Sequence, residues 1–242
     1  MNQLANSIAA AVIDAGANIL AYPGEAKWGE EIEICNRRFK LNQHFYISYV
    51  LRDTDEDEYL NYVMPGQESL IRLARRIIQG GVVCACVTGD NLAGELGFLA
   101  DDYSAGFCQP LKFCGLRDEN LLEKIIALDD IPYMVVESYK GDGHLNVLLD
   151  RPLEQGVTHT SALTGGRLDA HKLSWGVWDG GLYVVAPKFS AANIPGNTTL
   201  IERHGINVRE TRAYDEFKGG TIVVLDFLMG LHIDPSKCWI KR

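Results

Sequence analysis

Helical stretches and β-runs are interspersed along this chain without strict βαβ alternation. That pattern most constrains the fold, because a doubly wound parallel sheet needs a helix after almost every strand. The expectation is an α/β protein built on a twisted mixed β-sheet with flanking helices. Leu4–Ala15 reads as a helix, with Ile8, Val12 and Ala15 on one face and Gly16 as its stop. Ile19–Tyr22 reads as the first strand, Glu30–Arg38 as a short helix and Phe45–Leu51 as a β-branched, aromatic strand. The acidic run Asp53–Glu58 reads as a solvated turn or a helix N-terminus.

Glu68–Gln79 carries a broad apolar stripe and reads as a helix ended by Gly80-Gly81. Arg72, Arg75 and Arg76 fall on its solvated face. Val82–Val87 then reads as a buried strand, with Cys84 and Cys86 on one face as core thiols. Thr88–Phe107 has no clear period. Asn120–Leu128 is expected helical, and Tyr133–Glu137 and Leu145–Leu149 are expected strands on either side of a turn at Lys140–Gly143. Gln155–Gly166 reads as a loop. Leu173–Trp178 and Leu182–Ala186 read as a hairpin across Asp179-Gly180-Gly181. Thr198–His204 is expected to be a helix capped by Gly205, and Ile206–Arg209 and Thr221–Phe227 to be strands. One domain over residues 1–242 is the expectation.

Composition narrows the function classes. No apolar run approaches the ~20 residues of a membrane helix. The six cysteines form no C-x-x-C, and the six histidines show no metal spacing. A reducing cytoplasm and no metal centre are therefore expected. The formal charge of −9 argues against broad nucleic-acid binding while leaving room for a local basic site, such as Arg37, Arg38 and Lys40.

The stretch Ile19–Gly29 (ILAYPGEAKWG) is built like a site loop: an apolar strand breaks at Pro23-Gly24 and presents Glu25, Lys27 and Trp28. Glu25-x-Lys27 with Asp14 upstream faintly matches a nuclease pattern, but Pro23-Gly24 argues against the strand such a pattern needs. Ser190–Gly196 (SAANIPG) follows a β-run and lets backbone approach a ligand, with Asn193 as donor and acceptor or simply a cap.

In order, these pieces resemble the YrdC family, whose best-known members make threonylcarbamoyl-adenylate. The family's Tyr-Pro-Thr-x-Ala/Thr segment is matched by Tyr22-Pro23-Gly24-Glu25-Ala26. Its Lys-x-Arg signature is matched by Asn36-Arg37-Arg38, and its Ser-Ala-Asn-x-Ser-Gly by Ser190–Gly196, with Pro132–Gly143 as a competing counterpart. Its Ser-Thr-Ile/Val-Val-Asp close is matched by Gly220–Asp226, and its basic terminal strand by Trp239–Arg242. The resemblance implies a YrdC-like open cleft, with an insertion within residues 120–186. It implies condensation of L-threonine, bicarbonate and ATP with Mg2+, releasing pyrophosphate, for modification of tRNA.

Carried onto this chain, the resemblance implies catalytic roles for Arg38 and Lys27. It makes Tyr22, Gly24, Glu25, Lys40, Ser190 and Asn193 binding residues. The chain departs from the pattern where Gly24 replaces the motif Thr, Asn36 the signature Lys and Ala191 the motif Ser, unless Ser190 stands in. Two readings follow: a divergent adenylate-forming enzyme, or a module that kept a cleft for a nucleotide, RNA or protein partner without the chemistry.

Overall fold

A computed structural model describes residues 2–52, 59–86, 95–116, 120–169, 174–190 and 197–241. In chain order its first elements are α1 (Asn2–Asp14), β1 (Asn18–Leu20), β2 (Glu25–Ala26), β3 (Glu31–Ile34), β4 (Arg37–Arg52) and α2 (Tyr59–Cys86). The middle of the chain holds β5 (Glu95–Leu99), β6 (Leu111–Cys114), β7 (Lys124–Leu128), β8 (Ile131–Lys140), β9 (Leu145–Leu149) and β10 (Leu163–Asp169). There follow β11 (Ser174–Val177), β12 (Leu182–Val185), β13 (Lys188–Phe189), β14 (Asn197–Arg203), β15 (Ile206–Asp215), β16 (Gly220–Ile233) and β17 (Cys238–Lys241). The protein is thus mixed α/β and mostly strands. Residues 53–58 and 191–196 lie outside the described residues, and with them the acidic run and Asn193.

The chain divides into two units, one of Met1–Arg75 with Leu182–His232 and one of Arg76–Gly181 with Ile233–Arg242. The first is a sheet unit. Its seven-stranded sheet runs β1-β12-β16-β15-β14, with β4 also on β16 and β3 on β4. β1 pairs parallel with β12, whereas β14–β15, β15–β16, β16–β4 and β4–β3 are antiparallel. Helix α1 buries Leu4, Ile8, Ala11 and Val12 and lies against β1, β14 and β15. It ends as its sequence implies. Gly16, at φ +76°, donates to the Ile13 carbonyl and Ala17 to that of Val12, a Schellman close.

The second unit is a closed six-stranded barrel in the order β10-β5-β6-β9-β8-β7, antiparallel at each pairing. Closure removes exposed strand edges. Alternate residues fill the interior, as in β9, where Leu145, Val147 and Leu149 are buried with Phe113, Tyr133 and Val135. A separate ribbon of β11 and β17 belongs to the same unit.

Several sequence expectations are corrected. Glu30–Arg38 is not a helix but the β3–β4 hairpin. Its Glu-Ile-Glu-Ile alternation has a period of two, and Cys35-Asn36 form a two-residue turn with φ of 51° and 58°. Thr198–His204 is strand β14, joined to β15 by His204-Gly205, both at positive φ. Asn120–Leu128 contains strand β7, which turns into β8 at Asp129-Asp130 in the same way.

Gly80-Gly81 does not end α2, and Val82–Cys86 is helical. The stripe of Leu70, Ala74, Ile77 and Ile78 continues at helical spacing through Val82 and Val83, all buried. A Cβ on Gly80 would lie 2.7 Å from Met134 Sδ, so glycine lets the helix pack closely on β8. Cys84 and Cys86 therefore do not share a face. Residues two apart on a helix are ~200° apart in azimuth. Finally, β11 and β12 are not a hairpin. The turn at Asp179-Gly180 forms, but β11 pairs with β17, and β12 with β1 and β16.

Candidate functional site

The two segments singled out in the sequence meet in the sheet unit. After β1 the chain passes through Tyr22-Pro23-Gly24 into β2, which pairs parallel with β13: Glu25 aligns with Lys188 and Ala26 with Phe189. Ser190 N–H extends the ladder to the Ala26 carbonyl at 2.9 Å. Gly24 has a local reason: a Cβ there would lie 2.8 Å from Tyr22 Cε1, because the tyrosine ring folds over it. Lys27 N–H donates to Glu30 Oε2 at 2.9 Å, and Gly29 N–H to the Leu41 carbonyl at 2.7 Å, which ties the loop to β4.

The pleat sorts the side chains of this crossing. Ala26 is buried and Phe189 faces inward, so Glu25, Lys27, Lys188 and Ser190 face the other way. Adjacent strands lie ~4.8 Å apart and alternate residues ~7 Å apart. The Glu25 carboxylate, two ammonium groups and a hydroxyl thus share a small patch, with the Glu30 carboxylate beside Lys27.

Beneath Phe189 lies a buried polar network. Arg209 and Asp226 are cross-strand neighbours on β15 and β16. Arg209 Nε donates to Asp226 Oδ1 at 2.9 Å and Nη2 to Oδ2 at 2.5 Å, with the side chains 6% and 2% exposed. The guanidinium sits 4.4 Å from the Phe189 ring centroid, and the His44 ring 4.5 Å from it. His44 Nε2 is 3.2 Å from Asp226 Oδ2. The Asp226 carboxylate therefore neutralises the Arg209 guanidinium. Asn207 Nδ2 donates to the Ala186 carbonyl at 2.8 Å, and its buried Oδ1 has no hydrogen-bond partner among the described residues. On the other face of β15, Glu210 accepts from Arg212 Nε at 2.7 Å, and burial pushes its carboxyl up.

Of the residues expected to form a site, Tyr22, Gly24, Glu25, Lys27 and Ser190 come together. Arg38 and Lys40 do not join them. Phe39 between them is fully buried with Ala26, Tyr22 and Phe189, so the pleat turns both cations to the opposite side. There Arg38 is 78% exposed with Nε 3.9 Å from Glu31 Oε1, and Lys40 aligns with Glu31. His44, Arg209 and Asp226 were not among the expected residues. Their signal was present: opposite charges inside two apolar β-runs, Ile206–Arg209 and Thr221–Phe227.

The barrel unit has its own concave feature, a pocket of about 330 Å3 lined by Phe113, Cys114, Leu116, Lys140 and His144 with Gly115, Gly141 and Gly143. His144 Nδ1 lies 2.9 Å from the Asp142 carbonyl, so Nδ1–H donates to it. At the far end of β9, Asp150 is fully buried, accepts from Met134 N–H at 2.9 Å and pairs with Arg151 at 3.1 Å. Burial pushes its carboxyl up, against the pull of Arg151. The same burial, with the Asp150 carboxylate, pushes the Cys84 thiol up to about 12. This network fastens α2 and β8 within the barrel unit.

Among the described residues no group of three or more His, Cys, Asp or Glu side chains is placed to hold a metal ion. No described helix is long and apolar enough to cross a membrane. No protein-family model and no curated protein matches the chain.

Proposed function

We propose that the sheet unit binds a small zwitterionic ligand of the amino-acid class at the β2–β13 crossing. In this reading the chain is a divergent YrdC-like protein that holds the amino-acid end of the family's substrates without condensing it with ATP. The observation that supports this is the parallel alignment of Glu25 with Lys188, with Lys27 and Ser190 on the same side. A carboxylate facing ammonium groups and a hydroxyl complements a ligand with both charges.

The phosphate end is less well served. Adenylate formation develops charge on phosphates and needs several pre-placed cations. Arg209 is neutralised by Asp226, and Arg38 and Lys40 point to the other side of the hairpin. Lys27 and Lys188 are offset by Glu25 and Glu30. The condensing-enzyme reading therefore stands second.

The test is calorimetric titration with L-threonine and other small amino acids, with and without ATP, Mg2+ and bicarbonate, followed by a pyrophosphate assay. Amino-acid binding without pyrophosphate release is expected. Glu25→Gln and Lys27→Ala should each weaken that binding by about fivefold, the scale of an exposed ion pair. Arg38→Ala should leave it unchanged. Absence of amino-acid binding would overturn the proposal. Pyrophosphate release that is lost in Arg38→Ala would restore the enzyme.

A further inference from the structure

The β11–β17 ribbon has two unlike faces. Ser174 pairs with Lys241 and Gly176 with Trp239, and the register continues to Trp178, whose N–H donates to the Lys237 carbonyl at 2.8 Å. Paired residues point to the same side of a ribbon, so Ser174, Gly176, Trp239 and Lys241 share one face; Trp178 continues it through its hydrogen bond, and Lys237, the last residue of the 3-10 turn Pro235–Lys237, lies at its end. The other face carries Trp175, Val177, Cys238 and Ile240, all partly buried. On the first face Trp178 is 65% exposed and Trp239 42%, and both lysines are exposed.

Gly176 shapes this face. A Cβ there would lie 2.6 Å from Trp239 Cε2 and Cζ2, so the indole lies over the glycine across the ribbon. The two indoles thus stand on a rigid two-stranded element. Along β17 Trp239 and Lys241 are alternate residues, ~7 Å apart on this face, and Lys237 immediately precedes the strand. Among the described residues this face carries Lys241, with exposed Lys237 at its end, and no carboxylate. Asp234 at its edge accepts from Ser236 N–H and Oγ, and Asp179 follows Trp178 in the turn.

We propose that this face of the ribbon binds single-stranded nucleic acid, with bases stacked on Trp178 and Trp239 and the backbone phosphates against Lys237 and Lys241. Exposed indoles offer a stacking surface that any base can use, and interleaved lysines track an anionic backbone. Charge complementarity selects this occupant over a neutral sugar, which would use the indoles but not the lysines. The overall charge of −9 confines the attraction to the ribbon, so binding is local and salt-sensitive. The site lies in the barrel unit and does not depend on the amino-acid site proposed for the sheet unit.

The test is fluorescence anisotropy of the full chain with labelled oligouridylate and oligodeoxythymidylate of about 12 nucleotides at about 50 mM salt. Saturable binding is expected, with affinity falling as salt rises at a logarithmic slope of about −1.4, the value for two phosphate contacts on a single strand. Trp178→Ala and Trp239→Ala should each weaken it by roughly 5- to 150-fold. Trp178→Phe should restore part of the loss, and Lys237→Gln with Lys241→Gln should flatten the salt slope. Because Trp239 packs over Gly176, circular dichroism accompanies each variant, and the more exposed Trp178 decides if Trp239→Ala unfolds. No binding up to about 100 µM protein would overturn the proposal. Binding unmoved by Trp178→Ala and Trp178→Phe would overturn it as well. Quenching of tryptophan fluorescence by a neutral cello-oligosaccharide but not by the oligonucleotides would reassign the face to sugar rings.

Discussion

Asp226→Ala is the sharpest test of the sheet unit's interior. The substitution removes the only carboxylate that pairs with Arg209 among the described contacts, and leaves a guanidinium whose side chain is 6% exposed. Stacking on Phe189 and a 3.4 Å contact from Nη1 to the Phe189 carbonyl remain, but neither carries a compensating negative charge. Breaking a buried pair from one side costs about 3–5 kcal/mol, since the survivor keeps its desolvation penalty and loses its Coulombic partner. Against a typical total of roughly 5–15 kcal/mol, that is a large fraction of stability. Arg209→Leu should cost a similar amount, slightly less because His44 still faces the carboxylate at 3.2 Å. The double variant Arg209→Leu/Asp226→Leu removes both charges of the pair and should recover most of the loss. Urea unfolding followed by circular dichroism measures all three. Hydrogen exchange of β15 and β16 shows whether the loss is local. If Asp226→Ala costs under about 1 kcal/mol, or the double variant costs as much as either single one, the pair is not the buried, mutually dependent unit described here.

Other consequences are open to simpler measurements. Gly80→Ala should destabilise by up to about 2 kcal/mol, the overpacking against Met134 (roughly 1–3 kcal/mol) less the gain of about 1 kcal/mol that alanine brings to a helix; a thermal melt that rises instead would mean that α2 packs less closely on β8. In alkylation at about pH 8, exposed Cys35 should label first and Cys84, pushed up to about 12 by burial, last; equal rates in the folded chain would contradict the burial of Cys84. Burial raises the Glu210 carboxyl, so the folded chain holds that proton more tightly than the unfolded one. Stability is then highest below the unfolded pKa and falls as pH rises from there through the folded pKa. Glu210→Gln should therefore be more stable than the parent at neutral pH and lose that advantage in acid. An advantage that persists unchanged in acid would assign it to packing.

Local signals were enough for elements whose pattern is complete in a few residues. The α1 stripe with Gly16, the strand FYISYVL within β4, and β8 and β9 around their turn were legible because burial repeats at one clear period. The β2–β13 crossing was half legible. Pro23-Gly24 and the small residues after Ser190 marked two segments, but not their pairing. Nor did they show that Phe39 turns Arg38 and Lys40 away.

Periodicity set the class of element wherever it was unmixed, and composition excluded any long apolar run. Tertiary structure alone decided which strands pair. Thr198–His204 reads equally as a short helix until β15 offers it a ladder. Asn120–Leu128 likewise depends on β8 and β10 to close a barrel. Val82–Cys86 could be strand or helix on composition, and the close fit of Gly80 against Met134 keeps it in α2. The physical reason is common to all three. A strand's hydrogen bonds lie with partners distant in the chain, and a buried charge such as Arg209 is tolerable only beside a residue that no local window contains.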